Sequence, residues 1–192
     1  MSVSKTSKQH QLKVSQLLSD LRSGDETKIA SAIKAFHAHG DASVIAPIME
    51  VWSNGLSEEN VALLTELFQG LKDTTTIEPL MDAYRDDRYA GLRRSLTAVF
   101  WNSKLDFSPF LTDFVLFAVD GDFMDALEAI TLIEQFEGSI PEHAIMESQL
   151  LLKEYFGGTE NRDEQKDAIL TDMAILLKDF DNATGTEDLF LE

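Results

Sequence analysis

The chain of 192 residues is long enough for one globular domain or one short array of repeats, and it is too short for two large domains. Its 34 acidic residues against 16 basic ones give a formal charge of -18, which would repel a phosphate backbone and disfavours nucleic acid as a partner. The absence of cysteine excludes disulfides, zinc-thiolate sites and thiol nucleophiles, and no apolar run approaches the roughly 18 to 20 residues needed to span a bilayer.

Residues 1–24 predict an N-terminal capping helix. Val14, Leu17, Leu18 and Leu21 fall on one helical face, and Gly24 ends the pattern. The segment contains no continuous apolar stretch of the kind that a secretory signal needs. We therefore expect a cytoplasmic protein that has no membrane partner.

Four prolines, at positions 47, 79, 109 and 141, are spaced by 32, 30 and 32 residues, which points to internal repeats. Around the first three, apolar residues follow the i, i+3, i+4, i+7 spacing of one helical face. These sets are Ile45, Ile48, Met49 and Trp52; Ile77, Leu80, Met81 and Tyr84; and Phe107, Phe110, Leu111 and Phe114. The segments upstream repeat as well, and each ends in a phenylalanine: Phe36, Phe68 and Phe100.

The position of the prolines predicts where the second helix of each repeat begins. The first four amides of a helix have no acceptor within the helix, so a proline in the first turn costs no hydrogen bond. We expect Pro47, Pro79 and Pro109 to be third in their helices. Pro141 is expected at the second position after Ser139, in a capping box with Glu142.

Each unit thus predicts a helix A, a polar turn that ends in Asp41, Asp73 or Asp106, and a helix B. The stretches FHAHGDASVIAPIMEVW, FQGLKDTTTIEPLMDAY and FWNSKLDFSPFLTDFV resemble the HEAT repeat, a helical hairpin that stacks into a superhelix. The third turn is one residue longer than the others, and the fourth unit has Gly138 where the aspartate belongs and a shifted apolar phase in helix B.

The resemblance implies an all-α fold, an α-α superhelix of about four HEAT-like hairpins with capping helices at both ends. The hairpins are expected at about 25–55, 56–88, 89–120 and 121–156. Residues 157–178 predict the C-terminal capping helix, with Ile169, Met173, Leu176 and Leu177 on one face. Residues 179–192 contain helix breakers and acidic residues without a period, and they predict a flexible acidic tail.

Candidate motifs for metal binding and catalysis fail on spacing. His37 and His39 would point about 200° apart on a helix. The string DFDNATGTED has alanine at the fifth position of a calcium loop, and its glycine comes one residue late. Asp120, Asp122 and Asp125 precede or begin a helix and are interpreted as caps. We predict no catalytic residue, cofactor or metal.

The leading hypothesis is a non-catalytic scaffold for protein-protein interaction, because the B helices of HEAT-like folds normally line the concave face. An acidic concave surface would attract a basic helix or tail of another protein. Two alternatives stay open: an enzyme, since alkylpurine DNA glycosylases and bilin lyases have HEAT-like folds, and an acidic regulator or assembly chaperone. We expect a monomer or a weak homo-oligomer.

The candidate binding residues point away from the core stripe, mostly on helix B. They are Glu50, Asp82, Asp86, Asp87, Trp101, Asp113, Glu147 and Glu154. Trp101 is on a helix A and leaves its stripe by about 100°. Arg93, Arg94 and Lys104 form a basic concentration, which predicts either ordinary ion pairing on helix A or an acidic docking point.

Overall fold

In the computed structural model, which describes residues 3–158 and 163–187, the chain is all-helical, with ten α-helices and no strand in those ranges. Side chains are described for residues 8–158 and 163–182. The helices are α1 Val3–Leu21, α2 Glu26–His39, α3 Ile45–Ser53, α4 Glu58–Gln69, α5 Ile77–Arg85, α6 Arg93–Asn102, α7 Leu111–Asp120, α8 Phe123–Ile133, α9 Glu142–Gly158 and α10 Glu164–Glu187. Short 3-10 turns precede α3, α5, α6 and α7. The predicted all-α class is confirmed.

The chain divides into two compact units, Met1–Leu105 and Asp106–Glu192. The division falls between α6 and α7, inside the predicted repeat 89–120. It coincides with the turn WNSKLD, which is the one that departs from the spacing of the other two aspartate turns.

Within the first unit, neighbouring helices pack in the order of the sequence repeat. Helix α1 packs against α2, α2 against α4, and α4 against α6, while α3 packs against α5. Val14, Leu17 and Leu21 of α1 are buried and Leu18 is half-buried, which confirms the apolar face predicted for this helix. Helix α1 therefore covers one side of α2 with the apolar residues that the helical spacing predicted to be buried.

The aromatic residues of the repeat make the same contact twice. The ring of Trp52 on α3 lies 6.0 Å from the ring of Phe68 on α4. The ring of Tyr84 on α5 lies 5.8 Å from that of Phe100 on α6. Each partner in the second pair is 32 residues beyond its counterpart in the first, so the sequence period is expressed as equivalent core packing.

The three aspartates of the polar turns share one local role. A side-chain oxygen of Asp41 accepts the Ser43 amide at 2.9 Å, Asp73 accepts the Thr75 amide at 2.9 Å, and Asp106 accepts the Ser108 amide at 2.9 Å. Such a bond from an aspartate to the amide two residues later stabilises a tight turn. The longer third turn therefore keeps the aspartate's function.

Two of the four predicted proline positions are confirmed. Pro47 and Pro79 are the third residues of α3 and α5, as expected. The prediction is wrong for Pro109, which lies in the 3-10 turn Ser108–Phe110 before α7, because it follows its aspartate by three residues instead of six. It is also wrong for Pro141, since α9 begins at the next residue and the carbonyl of Pro141 accepts the Ala144 amide at 2.9 Å.

In the second unit, α7 packs against α8 and α9, and α10 packs against α8 and α9. The ring of Phe114 lies 6.5 Å from Phe107 and 6.1 Å from Phe136, which forms an aromatic cluster at the base of α7. Gly138 stands where the earlier units have aspartate. A Cβ atom at this position would collide with a carboxylate oxygen of Asp106 and lie 2.6 Å from the Ser108 Oγ. The glycine thus makes room for the cap of the preceding turn.

Helix α10 is longer than predicted. Leu170, Met173 and Leu177 are buried while Ile169 and Leu176 are half-buried, so the buried face is rotated from the predicted one. The helix continues to Glu187, so residues 179–187 of the segment predicted as a tail are helical. Adding residues to a formed helix is far easier than starting one, which lets Asn182 and Gly185 be included. Residues 188–192 of the predicted tail lie outside the described residues.

Candidate protein-interaction surface

The predicted binding carboxylates of the first unit divide into paired and unpaired groups. Glu50 on α3 accepts a hydrogen bond from Arg22 at 3.0 Å, and Asp87 accepts one from Arg93 at 2.9 Å. Asp82 on α5 is exposed and forms no ion pair with a described residue.

Asp86 serves the fold. Its carboxylate accepts hydrogen bonds from the Arg88 side chain, the shortest at 2.6 Å, and from the Arg88 amide at 2.9 Å. These bonds, the side-chain one first, lower the pKa of Asp86 below its ordinary value and raise that of Arg88. Since its charge is already used within the turn, Asp86 offers less to a partner than an unpaired carboxylate would.

The basic concentration around α6 has a structural use at Arg93. Its guanidinium donates to the Tyr84 carbonyl at 2.9 Å, to the Arg85 carbonyl at 3.3 Å and to Asp87. The last carbonyls of α5 lack partners within the helix, so Arg93 caps that end while it pairs with a carboxylate. The ion-pairing alternative therefore describes Arg93. Arg94 and Lys104 are exposed, and Arg94 also interacts with other groups of the protein.

Trp101 lies on the exposed side of α6, with 38% of its surface accessible. Its neighbour Phe100 is buried at 2% exposure. The rotation of about 100° per residue separates the two, as the helical period predicts. Trp101 is therefore available for contact with a partner.

The predicted residues of the second unit differ in their accessibility. Glu147 and Glu154 on α9 are exposed and form no ion pair with a described residue. Asp113 on α7 is half-buried and interacts with other groups of the protein. Helix α9 thus provides the predicted carboxylates that are most accessible in this unit.

Sequence reasoning missed several exposed apolar residues of the second unit, three of them on α7 and α9. Leu116 on α7 is 43% exposed, and Met146 and Leu150 on α9 are 60% and 54% exposed. For Met146 and Leu150, the sequence did contain a sign of this exposure: the apolar residues of helix B in the fourth predicted unit are not spaced as they are in the first three. In QLLLKEYF and the preceding IMES, apolar residues occur on both sides of a helix, which a single buried stripe does not explain.

The charge of the chain is concentrated in the second unit. Met1–Leu105 contains 12 basic and 13 acidic residues, a formal charge of -1. Asp106–Glu192 contains four basic and 21 acidic residues, a formal charge of -17. The two values add up to the -18 of the whole chain. A basic partner would therefore be attracted chiefly to the second unit.

Lys166 is a buried cation in that acidic unit, and no local pattern in the sequence indicates its burial. Its Nζ donates to the carbonyls of Val119 and Gly121, each at 2.7 Å, and lies 4.9 Å from the centre of the Tyr155 ring. Burial lowers the pKa of Lys166, and the carboxylates of Asp120 and Asp125 oppose that shift. The lysine closes the C-terminal end of α7, where a cation is favoured by the helix dipole.

The cap prediction is confirmed for Asp122 and Asp125 at the start of α8, and it is wrong for Asp120, which is the last residue of α7. Asp122 accepts the Asp125 amide at 3.0 Å, and Asp125 accepts the Asp122 amide at 3.0 Å. This reciprocal pair forms a capping box at the start of the helix. The two carboxylates therefore stabilise the helix start as well as adding negative charge.

A cavity of about 360 Å³ lies between the first two aspartate turns. Its floor is apolar and includes Phe36, Ile48 and Phe68, and its rim includes Asp41 and Asp73. Asp41 is held by Ser43 and by His10, whose Nε2 lies 3.3 Å from it, and Asp73 is held by Thr75. The turn therefore already uses the carboxylates that would orient a ligand.

The histidines and the acidic strings form no cluster in the described part of the chain. His37 and His39 are both exposed at the end of α2. Across residues 8–158 and 163–182, no group of three or more His, Cys, Asp or Glu side chains could hold a metal ion. None of the described helices combines the length and the apolar character that crossing a bilayer requires.

Comparison with family models, with curated proteins and with solved structures finds no match for this chain. What the chain does must therefore be argued from the charge, exposure and packing of its own residues.

Proposed function

We propose that the chain is a non-catalytic scaffold whose helical pairs stack in the HEAT-like manner and whose B helices bind a basic segment of another protein. The observation that carries this proposal is the charge of -17 on Asp106–Glu192, together with the exposed Glu147 and Glu154 on α9. A field of one sign accelerates association with an oppositely charged partner and makes that association sensitive to salt.

Ion pairs with arginines reduce the number of carboxylates that the predicted surface can offer to a partner. Asp86 and Asp87 are engaged by arginines, and Glu50 is engaged by Arg22. The unpaired carboxylates on α9 keep their full charge for an incoming cation. The equivalent contacts of Trp52 with Phe68 and of Tyr84 with Phe100 support a repeated hairpin.

The proposal is tested with the full chain as bait, compared with a variant that carries Glu147→Lys and Glu154→Lys. We expect partners rich in lysine and arginine that elute at high salt and are lost from the variant. A matched control, Glu58→Lys with Glu59→Lys on α4, makes the same charge change in the nearly neutral unit and should keep them. Partners that stay bound at high salt, or to both variants alike, would refute the acidic surface.

A further inference from the structure

Helix α9 exposes two apolar side chains on the side that faces away from the core. Its buried residues are Ala144, Ile145, Ser148 and Leu152. At 100° per residue, Met146 and Leu150 lie on the opposite side and one turn apart. Their exposures of 60% and 54% agree with that position.

Carboxylates accompany this apolar group. Glu147 follows Met146 directly, and Glu154 lies one turn beyond Leu150, both exposed. Helix α9 contains three glutamates, one lysine, Lys153, and one histidine, His143. Lys153 is exposed on the same face as Met146, so the edge of this apolar pair is mostly but not wholly negative. Exposed apolar residues with a charged edge are typical of a protein-binding surface.

We propose that Met146 and Leu150 form the centre of a docking surface for a basic amphipathic helix, with Glu147 and Glu154 at its edge. The inference rests on the proposed function and specifies the kind of basic segment. An amphipathic helix presents apolar residues at i, i+3 and i+4 with lysines beside them, which complements both parts of the surface. A basic tail without apolar residues would leave Met146 and Leu150 in water.

A second copy of the chain fits this surface less well than a basic partner. Contact through α9 would bring together two units that each have a formal charge of -17. Repulsion between like charges opposes such a contact. Methionine, which adapts its shape readily, suits a groove that accepts a helix from another protein.

The test uses the full chain and two synthetic peptides of about 18 residues, or five helical turns. One peptide has leucines on one helical face and lysines on the other. The second has the same number of lysines, with serine in place of leucine. Binding is measured by fluorescence anisotropy at moderate salt, and we expect the amphipathic peptide to bind at least about tenfold more tightly because it buries apolar surface.

Variants locate the binding. Leu150→Ser should weaken the binding of the amphipathic peptide at least about fivefold, because one large apolar contact is lost. Ile175→Ser on α10 is the matched control, since Ile175 is 55% exposed, and it should leave the affinity unchanged. Glu147→Gln with Glu154→Gln should weaken the binding of both peptides at low salt. Asp172→Asn on α10 should reduce that binding less.

The outcomes separate this inference from the proposed function. If both basic peptides bind equally and Leu150→Ser leaves their affinity unchanged, the proposed apolar docking surface is wrong. The proposed acidic scaffold is still supported in that case. If neither peptide binds, the scaffold proposal itself fails. If sedimentation shows self-association that Leu150→Ser abolishes, the surface is covered by a second copy, and the inference of a basic helix is overturned.

Discussion

Single residues at the helix ends hold much of this structure in place. Asp41, Asp73 and Asp106 each accept an amide two residues later, and Lys166 closes the end of α7. Such groups satisfy donors and acceptors that a helix leaves without partners. Their contributions can be measured by substitution, because each contact involves one side chain.

Replacing Lys166 by methionine should destabilise the protein by about 2 to 4 kcal/mol, because the half-buried carbonyls of Val119 and Gly121 lose a charged donor. Lys178→Met on the same helix is the control, since Lys178 is exposed, and it should change the free energy of unfolding by less than about 0.5 kcal/mol. Urea unfolding followed by circular dichroism gives both values. Equal stability of the two variants would show that the Lys166 contacts contribute nothing net.

The aspartate caps predict how stability responds to acid. The Ser43 side chain chiefly lowers the pKa of Asp41, and the Thr75 amide chiefly lowers that of Asp73. The unfolded chain therefore takes up these protons first as the pH falls, and the free energy of unfolding decreases below about pH 4. Asparagine caps without titrating, so Asp41→Asn with Asp73→Asn should flatten this decrease. Parallel pH curves for the two proteins would contradict this assignment.

At the scale of helices and turns, the first two units keep the repeat pattern, and the third and fourth units depart from it at the turn before helix B. The first two units place proline third in helix B, whereas Pro109 lies in a 3-10 turn before α7. In the fourth unit, Gly138 replaces aspartate because the space is taken by the Asp106 cap. The Asp106 turn thus limits which residue can occupy position 138.

Gly138→Ala should destabilise the protein by about 1 to 3 kcal/mol, since the added Cβ must displace the Asp106 carboxylate and Ser108. Gly91→Ala is the control, because a Cβ at Gly91 would have no neighbour within 4 Å. That change should be neutral or slightly stabilising. Thermal unfolding of both variants measures the difference, and a neutral Gly138→Ala would show that the Asp106 turn is not tightly held.

At the scale of the whole molecule, the net charge opposes folding. The excess of carboxylates lies almost entirely in Asp106–Glu192, whereas Met1–Leu105 is close to neutral. Like charges within a compact unit repel one another, and salt screens this repulsion over about 10 Å at 0.1 M. Stability should therefore depend on salt and on where an acidic residue is removed.

Added sodium chloride should raise the unfolding temperature by a few degrees, because repulsion dominates at low salt. At low salt, Asp172→Asn on α10 should stabilise the protein more than Asp82→Asn on α5. Both aspartates are exposed, and they differ in the charge of the unit that surrounds them. Scanning calorimetry measures both effects, and an unfolding temperature that falls with salt would show that attractive pairs outweigh the repulsion.

The sequence by itself determined the helices, their order and most of their buried faces. This follows because a helical period needs only local spacing, and Ile33, Met49, Phe68 and Phe100 are buried where that period put them. Repeated residues also located the aspartate turns. The sequence did not show which carboxylates of the predicted surface are paired, because ion pairs join residues that are distant in sequence, such as Arg22 and Glu50.

Tertiary structure alone decided which polar groups are engaged and which apolar groups are exposed. No local pattern shows that Lys166 reaches Val119 and Gly121, or that Gly138 must leave room for Asp106. The exposure of Met146 and Leu150 was decided in the same way, because α9 has apolar residues on both sides and only packing against α7 and α10 selects the buried one. Burial depends on neighbours that the spacing of a single helix does not contain.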